Sequence, residues 1–163
     1  QSDHAEGFGL HGYKYHAQHL YNDQVHVPLI IKGPGIRSRQ WDTPVSLIDI
    51  VPTVLDLAGL PKPPSLPGVT LIPYGTDLAP PRHPPVFIEM LKDPTHSDRR
   101  VIIDWPWKYQ YGITFGQHSL YNLSQDPNEQ TNLARSKPRI AARMEKRLRR
   151  WMSSEVKPKK PRP

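Results

Sequence analysis

Apolar residues along this chain keep two different rhythms, and the change from one to the other divides it. In TPVSLIDIVPTVLDLAGLP, Leu47, Ile50, Val51, Val54, Leu55 and Ala58 fall at i, i+3, i+4, i+7, i+8 and i+11. That spacing lays an apolar face along a helix. Thr43 before Pro44 offers a start signal, and Gly59 with Pro61 a stop. Pro52 has no N–H for the preceding turn, so a short turn followed by a helix from about Ile50 to Ala58 is expected, with Pro52 in the first helical turn. Upstream, Val27 to Ile31 is a short apolar run followed by Gly33-Pro34-Gly35, the pattern of a buried strand ending in a tight turn. Proline early in such a strand costs little, because the first residues can do without a ladder donor.

Beyond this helix, residues 61–85 are proline-rich and aperiodic, which predicts a long surface loop. Strand-like runs follow at Val86 to Met90, Val101 to Trp105, Tyr109 to Phe115 and Ser119 to Leu123, with Gly116 to His118 as a hairpin turn. Short strands in succession predict a small antiparallel sheet. Ile140, Met144, Leu148 and Trp151 then recur at i, i+4, i+8 and i+11, predicting an amphipathic helix over 138–152 with Pro138 in its first turn. Arg139, Arg143, Arg147 and Arg150 would form its wet side. The expected class is α/β, divided as residues 1–60, a proline-rich connection 61–85, the sheet and helix of 86–152, and a tail 153–163 whose Lys/Pro composition predicts disorder.

With 163 residues the chain is long enough for one domain with a real core and short for two. Its 20 prolines, 10 glycines and 36% hydrophobic content favour a loop-rich mixed fold over a helical bundle. The absence of cysteine excludes disulfides, thiolate metal sites and cysteine nucleophiles within the chain. No apolar run approaches the roughly 20 residues of a membrane span. The net charge of +7 is unevenly placed. Residues 137–163 hold 11 Lys or Arg against 2 Glu, a local +9, which leaves 11 against 13, or −2, in the first 136 residues. A near-neutral body argues against nucleic acid as the partner. The basic end reads as a solvated terminus, with a polyanion-binding tail as the alternative.

The chemistry is concentrated in QSDHAEGFGLHGYKYHAQHLYNDQVHVPLI. Adjacent Asp3 and His4 offer an oxygen and a nitrogen ligand to a divalent cation, while Ala5, Gly7, Gly9 and Gly12 let backbone approach a bound ion closely. Glu6 would orient His4 or cap a turn, and His26, just before the apolar run, reads as structural. An Asp-His pair in a terminal loop is by itself also ordinary polar surface. Ligands at positions 3 and 4 have almost no upstream chain to hold them, so a segment preceding Gln1 is expected.

Taken in order, SDHAEGFGLHG, LYNDQVHVPLIIKGPG, VSLIDIVPTVLDLAGLP and SLYNLSQDPNEQTNLA resemble the C-terminal half of a sulfatase, in the alkaline phosphatase superfamily. The likeness runs from Ser2 to about Ala134 and implies that residues 1–60 end a sulfatase-like core with its metal-binding loop. It implies Asp3 and His4 as ligands of a divalent metal, usually calcium, on which sulfate oxygens rest. It implies His16, the basic residue a few positions after His11-Gly12, as the catalytic donor to sulfate, stabilising charge on sulfate and leaving group. Lys14 and His19 are alternative donors nearby, and His11 is either a further sulfate contact or a hydrogen-bonded loop histidine. Ala5 stands where the family usually has glycine. The family's nucleophile, a formylglycine made in a Cys/Ser-x-Pro-x-Arg motif, and its other metal-binding aspartates would lie outside this chain, which alone would then be inactive. The implied reaction is hydrolysis of a sulfate ester. Phosphate or phosphonate ester hydrolysis in the same superfamily is the alternative, and a non-catalytic remnant that binds polyanions is another. The final block, with Asp126-Pro127 as its turn signal, reads as architectural. Asn122-Leu123-Ser124 matches the short glycosylation pattern.

Overall fold

The structure, a computed structural model, describes residues 2–12, 14–15, 19–76, 81–91 and 98–155. In chain order its elements are α1 (Asn22–Val25), a 3-10 turn (Leu47–Asp49), α2 (Ile50–Leu57), α3 (Ile72–Thr76), β1 (Val86–Met90), β2 (Arg99–Asp104), β3 (Trp107–Gly112), β4 (Gln117–Asn122) and α4 (Pro138–Glu155). They fall into two compact units, one of Gln1–Asp3 with Val27–Val86, the other of His4–His26 with Phe87–Pro163.

In the first unit the expected turn and helix form at the expected place, with Pro52 in the first turn of α2. Its buried side differs from the one the periodicity implied. Pro52 and Thr53 are buried, whereas Leu47, Val51, Val54 and Leu57 are 40 to 56% exposed. Asp49 is the reason. Its carboxylate is buried and accepts the Ser46 N–H at 2.7 Å, the Val69 N–H at 2.9 Å and a 2.9 Å bond from His83 Nε2. One turn on, the Thr53 hydroxyl donates to the Asp49 carbonyl at 2.6 Å and accepts the Leu71 N–H at 2.9 Å. The proline-rich segment is therefore bonded to the polar side of α2 and itself contains the turn of helix α3, where an aperiodic loop was expected. Gly68, at φ 86°, lies so close that a Cβ there would sit 2.4 Å from the Ile48 carbonyl oxygen.

Val27 to Ile31, expected as a buried strand, forms none, and Ile30 is 83% exposed. An apolar run becomes a strand only against a partner edge, and Pro28 withholds one of the donors such a ladder would use.

The second unit holds the expected sheet, in the order β1-β2-β3-β4. Antiparallel register sets Ile102 opposite Tyr109 and Tyr109 opposite Leu120. These residues point to one face, where they form the core with Ala134, Ala141, Met144 and Leu148. α4 supplies the last three of these, Met144 and Leu148 from its predicted apolar stripe and Ala141 beside it, and Trp151 stacks on Phe87 of β1 at 4.8 Å. The turn between β3 and β4 spans residues 113–116 and closes on Gly116 at φ 64°, slightly ahead of its expected place. The alternate face carries Ile103, Lys108 and Tyr121 in one row and Val101, Gln110 and Ser119 in the next.

Candidate functional site

That alternate face also carries buried polar side chains, and the histidine-rich N-terminal segment is anchored to them. Lys108 and Glu129 form an ion pair at 2.9 Å with both side chains fully buried. Lys108 also donates to Asn22 Oδ1 at 3.0 Å, Glu129 accepts the Asn22 N–H at 2.5 Å, and Gln110 Nε2 donates to Glu129 at 3.3 Å. Glu129 holds φ 55°, in a turn where Asp126 accepts the N–H groups of Gln130 and Thr131. Burial pushes the Lys108 ammonium below its usual range, and the facing Glu129 carboxylate opposes that shift. Such a pair is held by mutual satisfaction, since either charge left alone would be costly.

Asn22 opens α1, and Gln24 on the same short helix takes the Ala5 N–H on its carbonyl at 2.9 Å and donates from Nε2 to the Tyr15 carbonyl at 2.5 Å. Tyr21 is the next anchor, with its ring 6.1 Å from that of Tyr121 and burial pushing its hydroxyl pKa up. The His11 ring stacks on Tyr21 at 3.7 Å, and its Nε2 lies 3.0 Å from the Asn128 carbonyl, an approach that requires the proton on Nε2. His19 is buried, accepts the Tyr21 N–H on Nδ1 at 3.2 Å and faces Asp23 at 3.6 Å. Burial lowers its pKa, against the opposing pull of Asp23. A polar cleft of about 190 Å³ opens beside this cluster, lined by Tyr21, Arg99, Gln110, Ser119, Tyr121 and Asn132 among others.

The structure thus brings His11 and His19 together, with ring centroids 6.1 Å apart, around Tyr21. Asp3, His4 and Lys14 are exposed, with His4 Nδ1 3.2 Å from the Ala5 carbonyl. Asp3 and His4 fall on either side of the division between the two units. His16, the expected donor to sulfate, lies outside the described residues. Among the described residues no group of three or more His, Asp or Glu is placed to hold a metal ion. One carboxylate and one imidazole suit a divalent cation but do not complete a calcium shell of about six to eight oxygens, so a bound ion would need donors beyond these two. The sequence alone did not single out Lys108, Glu129 or Tyr21. The one signal for Glu129 was its place just after Asp126-Pro127, which marks a turn and says nothing of burial.

Residues 9–154 match the family model described as N-sulphoglucosamine sulphohydrolase, C-terminal. The chain belongs to this sulfatase family. It is 32% identical over 161 residues to arylsulfatase K of Bos taurus, a match covering 91% of this chain and 29% of that protein. Among solved structures it is similar to a 2-O GAG sulfatase, with a TM-score of 0.81, 26% identity, and coverage of 95% of this chain and 35% of the other. It is also similar to the phosphonate monoester hydrolase of Agrobacterium radiobacter, with a TM-score of 0.51, 25% identity and coverage of 66% and 25%. The chain therefore spans about three tenths of the length of the arylsulfatase K it matches, and the stretch it matches is the sulfatases' C-terminal part, with its helices, four-stranded sheet and closing helix.

Proposed function

We propose that the chain is the C-terminal part of a hydrolase that cleaves sulfate esters, with a nucleophile, a formylglycine by family resemblance, supplied from outside these 163 residues. The observation that carries this reading is the sulfatase family match across residues 9–154. Asp3 and His4 would contribute to a divalent metal site, most simply calcium. The ion, when bound, would draw charge from the sulfate oxygens. His16 would donate to sulfate and stabilise charge as the ester bond breaks. Exposed Lys14 stands two residues away in the sequence. His11 and His19, held around Tyr21, would border the sulfate.

The exposed apolar side of α2 and exposed Ile30 support the same reading, because a soluble protein covers surface of this kind. The further core of a sulfatase is the cover we propose. Phosphonate ester hydrolysis is the second reading, favoured by the likeness to the phosphonate monoester hydrolase.

The test is hydrolysis of an aryl sulfate and of a phosphonate monoester by the enzyme that contains this chain together with its nucleophile segment. Sulfate release is expected to exceed phosphonate cleavage, His16→Ala to lower kcat by about 10²- to 10³-fold, and Asp3→Ala to raise the calcium concentration needed for activity. Preferential phosphonate cleavage would select the second reading. Full sulfate release by both variants would remove these residues from the site.

A further inference from the structure

The outer side of α4 carries a charge arrangement that neither the fold nor the proposed hydrolysis uses. Arg139, Arg143, Lys146 and Arg150 fall at i, i+4, i+7 and i+11, and all are exposed. On an α-helix that spacing is a single stripe about 16 Å long. Neighbouring cations of the same helix are neutralised. Arg147 pairs with Asp104, and Arg149 pairs with Glu145 while lying over the Tyr111 ring at 4.7 Å. No carboxylate among the described residues pairs with any of the four in the stripe. Arg135 and Lys137, also exposed, extend the same charge just ahead of the helix. Like charges at i, i+4 spacing weaken a helix, so α4 holds this row against its own repulsion, through the apolar stripe it buries on the sheet.

We infer that this stripe is a docking surface for a sulfated polymer, separate from the histidine-rich segment and serving to hold a polymeric sulfate ester on the enzyme. The choice of sulfated polymer rests on the sulfatase reading. A straight row of guanidinium and ammonium groups matches a linear polyanion, and guanidinium in particular binds tetrahedral oxyanions through paired N–H donors. Nucleic acid fits less well. Single strands are held by aromatic side chains interleaved with cations, whereas the aromatic residue of α4, Trp151, is stacked on Phe87.

The experiment is the affinity of the full chain for dextran sulfate, measured at increasing salt against neutral dextran and duplex DNA. Binding is expected at low salt and should fall by roughly fifty- to a hundredfold between about 50 and 200 mM salt, as neutralisation by a row of this size requires. Reversing all four charges (R139E, R143E, K146E, R150E) should abolish it. A set to Gln should lose it too and guards against misfolding, which far-UV circular dichroism would report. Deleting residues 156–163 should leave it intact. Binding that survives both sets, binding lost on the deletion, no binding at low salt, or tighter binding of duplex DNA at matched charge would each overturn the assignment. Turnover of a small aryl sulfate by the whole enzyme separates the two ideas. With the stripe reversed it should be unchanged, while KM for a sulfated polymer rises. An enzyme that releases no sulfate while the chain still binds dextran sulfate would remove the hydrolytic reading alone.

Discussion

Lys108 and Glu129 show how a single charge can decide where a segment of chain goes. With both side chains fully buried, their pair is the point at which Asn22 and the preceding histidines are joined to the sheet. Lys108→Met leaves the Glu129 carboxylate buried without its cation, so the chain should lose about 3 to 5 kcal/mol of stability in urea unfolding. Adding Glu129→Gln should recover part of that loss, and a double variant as unstable as the sum of the singles would mean that the two charges do not act as a pair. Asp49 and His83 form a second pair, at 2.9 Å, that makes stability depend on pH. Burial works against both charges. The His83 hydrogen bond nonetheless lowers Asp49 below its ordinary 3.8, with the Val69 and Ser46 N–H groups adding to it. Asp49 and the Pro84 carbonyl together raise His83 above its ordinary 6.5. The carboxylate's contribution is present above pH 3.8 and is lost as pH falls through its depressed value. The imidazolium's contribution is complete below pH 6.5 and is lost as pH rises through its raised value. Stability should thus be greatest between these limits, and His83→Asn should remove the decline on the alkaline side. An unchanged alkaline limb in thermal melts would show that His83 does not titrate against Asp49.

At the scale of elements, Gly68 is the tightest constraint. Its positive φ and the 2.4 Å approach of a Cβ to the Ile48 carbonyl oxygen leave no room for a side chain. Gly68→Ala should cost about 2 to 4 kcal/mol in unfolding experiments, the sum of a left-handed backbone and an overpacked contact. A loss below about 1 kcal/mol would mean that the 62–71 segment shifts to accept it. The sequence displayed the elements that carry their own partner pattern. β1 to β4 were legible as short strand-like runs, and α4 from a stripe of which Met144 and Leu148 are buried and Ile140 and Trp151 partly so. In α2 the period was legible but the inward side was not. Leu47, Val51 and Val54 are exposed because hydrogen bonds from Ser46, Val69 and Leu71 hold Asp49 and Thr53 inward. The Val69 and Leu71 bonds come from residues distant in sequence, which no local period displays. Val27 to Ile31 misled for the same reason, since a strand needs a partner edge, which no local pattern displays. Of the candidate site, the histidine cluster was legible as composition. Its anchoring to Lys108, Gln110 and Glu129 was not, because burial of a charge is settled by tertiary contacts.

For the whole molecule, the sulfatase family match accounts for features that are odd in an isolated chain. Among the described residues no three His, Asp or Glu are grouped to hold a metal ion, and α2 exposes an apolar side. The arylsulfatase K it resembles is more than three times as long as the stretch matched. If this chain is one part of a sulfatase, its chemistry depends on groups it does not contain. The most direct measurement is sulfate release from an aryl sulfate, with calcium present, by the 163-residue chain and by the same chain joined to a segment that supplies the nucleophile. The expected result is turnover by the joined protein and none by the chain. Turnover by the chain itself, or none by a folded joined protein, would contradict the assignment.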